Sequence, residues 1–377
     1  MTKLVYILPV YDPDSPEHFY YLYKFLEILT GNLDVLIFIE KCAGPPRFSK
    51  QAKLYCRRLQ WPVLNLLETL IVLVIARLKG YKRFYVHYSL SAGFISGLVT
   101  RLLGGISFYW NCGHPTRFLP SHIGNFTDFQ QWLRNGLFLK LTLQIVHYLV
   151  TGTPAMADYY SGAYRLSSRR IQVMPNWVDL SRFADLPAKK ALRQELGLPM
   201  EVPVVLFLHR LADRKGAHYL VPIAQRVTKT HQALFLVAGD GPYRSRLEAE
   251  IREAGMEDFF RLVGWVPNRE VARYFGAADV YMMPSEEEGF PRTLLESMAA
   301  GCPFVATDVG GVRDVVTPLQ AEFLVPPGKP DLFADALDRL LSDRELRHRL
   351  ANEGQVRVKE FSQERVAEIF LEMVIQE

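Results

Sequence analysis

Ten short apolar runs, bounded by turn residues and separated by helix-length segments, recur along this chain of 377 residues. They fall into two sets. The first comprises LVYILPV (4–10), DVLIFIE (34–40), RFYVHY (83–88), ISFYWN (106–111) and IVHYLVTG (145–152). The second comprises VPVVLFL (202–208), ALFLVAG (233–239), FFRLVG (259–264), DVYMMP (279–284) and PFVAT (303–307). Runs that are apolar throughout, rather than alternating, need cover on both faces, and covered strands joined by helices form parallel sheets. Two sets predict two Rossmann-like α/β domains meeting near residue 176, with the polar, turn-rich segment 175–187 as the join. A last helical pattern, 361–374, has Ser362 as a candidate cap and fits against either domain.

Charge divides along the same line. Residues 1–180 hold 19 Lys and Arg against 10 Asp and Glu, and the remainder holds 25 against 30, so the halves carry +9 and −5. A basic half next to an acidic one suits an anionic partner: nucleic acid, phospholipid or a diphosphate. The apolar fraction of 49% and the lack of low-complexity tracts or short repeats exclude disordered, collagen-like and solenoid classes. Cys42, Cys56, Cys112 and Cys302 are scattered without metal-ligand spacing, which predicts a reducing, cytoplasmic setting. The N-terminal apolar run is too short for a secretory segment and reads as a buried strand. The most apolar stretch, 61–76, contains Pro62, Asn65 and Glu68 and falls short of a membrane span, so it reads as a buried or interfacial helix.

Ligands of open parallel sheets bind beyond the carboxyl ends of strands, which directs attention to the residues after each run. HRLADRKG follows the first strand of the second set, and its Arg210 and Lys215 suit a diphosphate; a solvated basic turn is the plain alternative. DGP at 240–242 marks a turn. SEEEGFPRTLLESMAAGCP at 285–303 places Gly289, Phe290 and Pro291 ahead of a helix, with the amides of Arg292 and Thr293 open toward an anion. Glu288 and Glu296 flank that helix start, and carboxylates accept well from sugar hydroxyls. The acidic run 286–288 otherwise reads as a solvated loop. Gly310 and Gly311 allow close backbone approach or mark a simple helix entry.

Taken together, HRLADRKG, LVAGDGP, VGWVPNREVARYFGAADVYMMPS, EGFPRTLLESMAAGCPFVATDVGGVRDVV and LVPPGKPDLFADAL resemble successive motifs of the GT4-like retaining glycosyltransferases of GT-B fold. The resemblance covers about 173–340, with a looser match at YVHYSLSAGFISG and WNCGHPTRF. It implies two Rossmann-like domains facing each other across a cleft: an acceptor-binding domain over 1–176, with 361–377 as a candidate completion, and a nucleotide-sugar-binding domain over 177–360. It further implies that Arg210 and Lys215 bind the donor diphosphate, Glu296 the ribose and Glu288 the donor sugar. Arg292 and Thr293 would offer amides to phosphate, beside Gly289 and Phe290, with Gly264 and Val266 near the base and His114 near the transferred sugar. The implied chemistry is hexosyl transfer with retention from a nucleotide-diphosphate co-substrate such as a UDP- or GDP-sugar, in polysaccharide or glycolipid synthesis, with no resident cofactor or metal. His209 and Trp177 stand where the family commonly has glycine. The loop after the first strand lacks the family's paired glycines and leaves Asp12, Asp14 and His18 without roles; Ser15 there also makes a good helix cap.

The segment 50–61 interleaves Lys50, Lys53, Arg57 and Arg58 with Leu54, Tyr55, Leu59 and Trp61, which reads either as a membrane-surface helix or as an ordinary amphipathic one. A second apolar, aromatic stretch, 118–149, covers a lipid tail or closes the core. The expectation is a peripheral enzyme on the inner membrane face acting on a lipid-linked or polyisoprenyl-diphosphate-linked carbohydrate. The rivals are a nucleotide-sugar epimerase of the same fold and a non-catalytic saccharide-binding partner; no motif supports nucleic-acid binding.

Overall fold

The computed structural model describes residues 1–12, 20–44, 52–59, 61–113, 130 and 133–376. Asp14, His18, Lys50 and His114 lie outside them. Contacts divide the chain into two units, Met1–Pro175 with Glu364–Glu377, and Asn176–Gln363. The chain therefore passes between units twice. Just before the second passage, Ser362 forms a parallel bridge with Val178, flanked by bonds from Val178 N to Phe361 O and from Gln363 N to Val178 O, both 3.0 Å.

The first unit is built on seven parallel strands: β1 (Lys3–Leu8), β2 (Asp34–Ile39), β3 (Lys53–Cys56), β4 (Arg83–His87), β5 (Ile106–Trp110), β6 (Tyr148–Thr151) and β7 (Ile171–Val173). Their order is β3-β2-β1-β4-β5-β6-β7. Alternation along β1 and β4 sends successive side chains to opposite faces. Val5, Ile7, Phe84 and Val86 pack under the helices Pro62–Leu78, Leu90–Leu103, Leu139–Ile145 and Pro154–Tyr164. Tyr6 and Tyr85 face the other way, onto Phe370 of the helix Gln363–Gln376, with ring centroids 6.0 and 4.8 Å away. Phe25 of the helix Tyr20–Asn32 meets the same ring edge-on at 5.6 Å.

The described residues of the basic segment 50–61 do not form a membrane-surface helix. Its described core is the edge strand β3, paired in parallel with β2 from Leu36↔Lys53 to Ile39↔Cys56. Strand β2 has an outer row of backbone donors and acceptors to satisfy, and KLYC satisfies it. The segment's described cations are also taken up by the protein. Lys53 binds Asp34 at 2.8 Å, Arg57 binds Glu40 at 3.2 Å, and the Arg58 guanidinium lies over the Tyr55 ring. Pairing at this edge also gathers two of the cysteines that look scattered in sequence, with the Cys42 and Cys56 sulfurs 2.7 Å apart. Glu68, buried in the following helix, accepts from Tyr55 Oη and from the amides of Arg58 and Leu59 at 2.8–2.9 Å. Burial alone would push its carboxyl up; those three donors and Arg57 hold it below the usual range. Among the described residues no helix is long and apolar enough to cross a membrane.

The second unit carries six parallel strands: β8 (Val204–Leu208), β9 (Leu234–Ala238), β10 (Phe260–Gly264), β11 (Val280–Met283), β12 (Phe304–Thr307) and β13 (Leu324–Val325), in the order β10-β9-β8-β11-β12-β13. Its helices Leu220–Val227 and Pro330–Ser342 pack Ile223, Val227, Phe333 and Leu337 against Val205, Phe207 and Val237. The order reverses direction between β8 and β11, and the crevice that opens there lies above the carboxyl ends of both strands.

Phe370 is fully buried where the last helix meets the first sheet. Its replacement by alanine removes the ring that Tyr6, Phe25 and Tyr85 share, and is expected to cost about 3–5 kcal/mol, as for other buried aromatic truncations. Denaturant unfolding of Phe370→Ala against the parent checks this; a loss below about 1 kcal/mol would show that the helix does not close this core.

Candidate functional site

The crevice between β8 and β11 is built from two loops that touch. After β8 the chain runs through His209 and Arg210 to a single 3-10 turn, Asp213–Lys215, which ends at Gly216 with φ +72°. A Cβ at Gly216 would stand 2.0 Å from the carbonyl oxygen of Pro284, in the loop after β11. Only glycine allows both that backbone angle and that approach. Glu286 N then donates to Arg214 O at 3.0 Å and fastens the loops a second time.

This close approach delivers Lys215 to Glu288. Lys215 Nζ lies 2.8 Å from Glu288 Oε1, and both side chains are buried. Ser285 Oγ donates to the same oxygen at 2.8 Å, and His209 Nε2 stands 3.5 Å from it. Arg210 N donates to His209 Nδ1 at 2.9 Å, which leaves Nε2 as the protonated nitrogen of a neutral ring and aims it at the carboxylate. Burial, and then the Lys215 charge, lower the His209 pKa to about 4. Burial by itself would raise Glu288, but Lys215 and His209 outweigh it and hold the carboxyl well below its ordinary range. At neutral pH the cluster is thus one ammonium, one carboxylate and a neutral imidazole; Arg210, exposed and next in the chain, meets it through its backbone amide.

The loop after β11 is not a solvated acidic run. Glu287 and Glu288 are buried, and Glu286 accepts from Tyr219 Oη at 2.9 Å. Thr307 of β12 donates to the carbonyls of Met283 and Ser285, and Gly311 N donates to Gly289 O at 3.2 Å. Those bonds hold the loop over the start of the helix Arg292–Ala299, which Pro291 precedes in an extended conformation. The first amides of this helix, at Arg292 and Thr293, have no partner within it by helix geometry. Phe290 is buried against Phe361, and its carbonyl accepts from Asn176 Nδ2 at 3.0 Å. One turn into the helix Glu296 is buried, with Arg182 Nη1 at 3.4 Å from Oε1.

At the sheet's far side, Gly264 ends β10 with φ +74°, and its carbonyl accepts from Gly239 N at 2.7 Å. Val266 is buried, whereas Trp265 between them is about half exposed. The structure therefore joins Lys215 and Glu288 directly and ties the Arg210 amide to His209, while Glu296 pairs with Arg182. In the first unit Asp12 donates its amide to Tyr23 Oη at 3.1 Å. Among the described residues no group of three or more His, Cys, Asp or Glu side chains gathers as a metal site would require. Sequence reasoning passed over Ser285, Arg182 and the part played by His209. Position directly beyond β8 and β11 was the signal available for His209 and Ser285; Arg182, in the join between domains, had none.

His209 makes stability pH-dependent in a defined direction. The unfolded chain takes up a proton as pH falls through about 6.5, whereas the native ring resists until about 4. Stability is therefore lost as pH falls across that window, by up to about 3 kcal/mol. His209→Gln is expected to flatten this part of the curve in denaturant titrations at stepped pH; an unchanged slope would show that the ring is not held neutral.

Comparison with known proteins follows the same outline. Residues 188–357 match the family model of glycosyl transferases group 1. A 2-deoxystreptamine glucosyltransferase of Streptomyces kanamyceticus is 35% identical over 198 residues, 52% of this chain and 51% of that protein. A D-inositol 3-phosphate glycosyltransferase of Xylanimonas cellulosilytica is 34% identical over 60% of this chain and 56% of its own. The chain spans about half the length of these relatives. Among solved structures, the sucrose-phosphate synthase of Thermosynechococcus elongatus superposes with a TM-score of 0.80 at 22% identity over 100% of this chain and 99% of its own. HepE of Anabaena, in complex with UDP-glucose, gives 0.78 at 17% over 100% of both chains. Residues 188–357 therefore form a glycosyl transferases group 1 domain, within a chain that has the fold of the GT-B glycosyltransferases.

Proposed function

We propose that this chain transfers a sugar from a nucleoside-diphosphate sugar to a hydroxyl of a carbohydrate acceptor, with retention at the anomeric carbon. The observation that carries this reading is the buried Lys215–Glu288 pair in the loops beyond β8 and β11, with Arg210 next to His209 in the chain and the helix Arg292–Ala299 beginning after the same loop. Arg210 and Lys215 bind the donor diphosphate and offset the charge that grows on it as the bond from the anomeric carbon to the phosphate oxygen breaks. They supply what a divalent cation supplies elsewhere, so no resident metal is included. The acceptor oxygen forms the new bond on the same face, its proton passes to the departing phosphate oxygen, and the nucleoside diphosphate leaves. Glu288 has little basicity for that proton, because its carboxyl is held below the ordinary range. Its described contacts all go to Oε1, which leaves Oε2 to accept from donor-sugar hydroxyls. Glu296 holds the ribose, and 264–266 flanks the base.

The acceptor assigned is a lipid-linked carbohydrate at the inner membrane face. Support comes from the basic balance of the first 180 residues, 19 cationic against 10 anionic. A relative in Rhizobium meliloti is a lipopolysaccharide core biosynthesis glycosyltransferase, 29% identical over 60% of this chain.

Thermal-shift titration with UDP, GDP, ADP, CMP and TDP, with and without magnesium, tests the donor site. A selective rise with one diphosphate is expected; no shift from any would remove the donor reading. Lys215→Ala is expected to lower kcat about 10²–10³-fold, with nucleotide affinity changed far less. Glu296→Ala is expected to weaken the free nucleotide about tenfold, the worth of a hydrogen bond to a charged group, and unchanged affinity would take Glu296 off the ribose. Donor consumption without any acceptor would favour an epimerase instead.

A further inference from the structure

The helix Pro62–Leu78 turns an apolar face to solvent. Leu73 and Ala76 are buried beneath it in the core of the first unit. On the opposite side Leu64, Leu67, Ile71, Ile75 and Leu78 follow one another at steps of three and four residues, the spacing of a single helical stripe. Their exposure is high, 50% for Leu67, 49% for Ile71 and 77% for Leu78, and Trp61 at the entry to the helix is 76% exposed. Every exposed side chain described from 61 to 78 is apolar. A water-facing helix side normally carries Lys, Glu or Arg, so this one is built for a different medium.

The stripe extends onto its neighbour. Arg77 Nε donates to Gly104 O, just past the end of the helix Leu90–Leu103, whose last turn carries Leu102, 72% exposed. The charges along this part of the chain are almost all of one sign. From 52 to 113 the chain has eight Lys and Arg and a single acid, Glu68, which is buried and bonded to Tyr55, Arg58 and Leu59. Lys79 caps the first helix and Lys82 follows it in the turn before β4, both exposed, and Arg101 in the last turn of the second is exposed while donating to Ile145 O and Gln144 O. The acidic helix Gln363–Gln376 covers the other face of the same sheet, through Phe370.

We infer that this face is the membrane-docking surface of the protein, and that its occupant is an anionic phospholipid bilayer. The apolar stripe enters the acyl boundary and the cations near the helix ends meet lipid phosphates, while Glu68, the one acid between 52 and 113, is buried. The helix has 17 residues where a span needs roughly 20, so it lies in the interface plane. The inference rests on the peripheral reading given above for its setting, but not on the transfer chemistry.

The test is co-sedimentation of the full chain with vesicles of phosphatidylglycerol and phosphatidylcholine, and with phosphatidylcholine alone. Binding is expected to the anionic vesicles, and to weaken at high salt as the lipid charge is screened. The triple variant Leu67→Ser, Ile71→Ser, Ile75→Ser is expected to lose at least about tenfold in partitioning. Lys79→Glu with Lys82→Glu should lose binding to anionic vesicles chiefly. All substituted side chains are exposed, so an unchanged unfolding temperature and an unchanged nucleotide shift mark intact folding. Absence of vesicle binding by a chain that still binds nucleotide would overturn the docking surface and leave the donor site standing. Vesicle binding without any nucleotide shift would do the reverse. Equal binding by the triple variant, or a concentration-dependent dimer that the triple variant abolishes, would overturn it in favour of another lipid contact or a second copy.

Discussion

Parallel pairing of strands is the constraint from which the rest of this structure follows. Two parallel neighbours cannot be joined by a tight turn, so the chain must return along the sheet between them, and every strand ends at the same edge. In each unit this collects the loops after the strands into one place and leaves the faces to helices. The reversal of strand order between β8 and β11 then sets two of those loops side by side, with their bases close enough for Gly216 to rest on Pro284.

What occupies that contact is an ion pair, and its surroundings account for its persistence. A buried ammonium and carboxylate repay their loss of water only when the remaining hydrogen-bonding capacity is met. Ser285 and His209 meet it on one oxygen of Glu288, and the amide of Arg210 fixes the imidazole so that it donates. The neutral ring is as much a part of the arrangement as the charges, since a protonated one would place a second cation beside Lys215. His209, met in the sequence only as a departure from a common glycine, thus has a physical account.

The strands that the sequence revealed and those it concealed differ in position. The ten apolar runs correspond to strands, most of them flanked by partners on both sides. The three that went unread, β3, β7 and β13, are each the last strand at an edge of their sheet. An edge strand has one partner and a partly wet side, so KLYC, IQV and LV need no continuous apolar run and give none. Lys215 and Glu288 were legible because they follow strands directly, but their meeting depends on strand order, which spacing does not contain. The basic segment read as a membrane surface belongs to one such edge strand. The apolar stretch after it, short of a membrane span by length, carries the exposed face.

The double passage between units sets an order on synthesis. The second unit is a single continuous stretch, Asn176–Gln363, and has all its strands once that stretch has emerged from the ribosome. The first unit has to wait for Phe370, made after it, to cover Tyr6, Phe25 and Tyr85. Nascent domains generally mature from the N-terminus onward. Here the half translated first is completed last, and until then one face of its sheet stands open to chaperones.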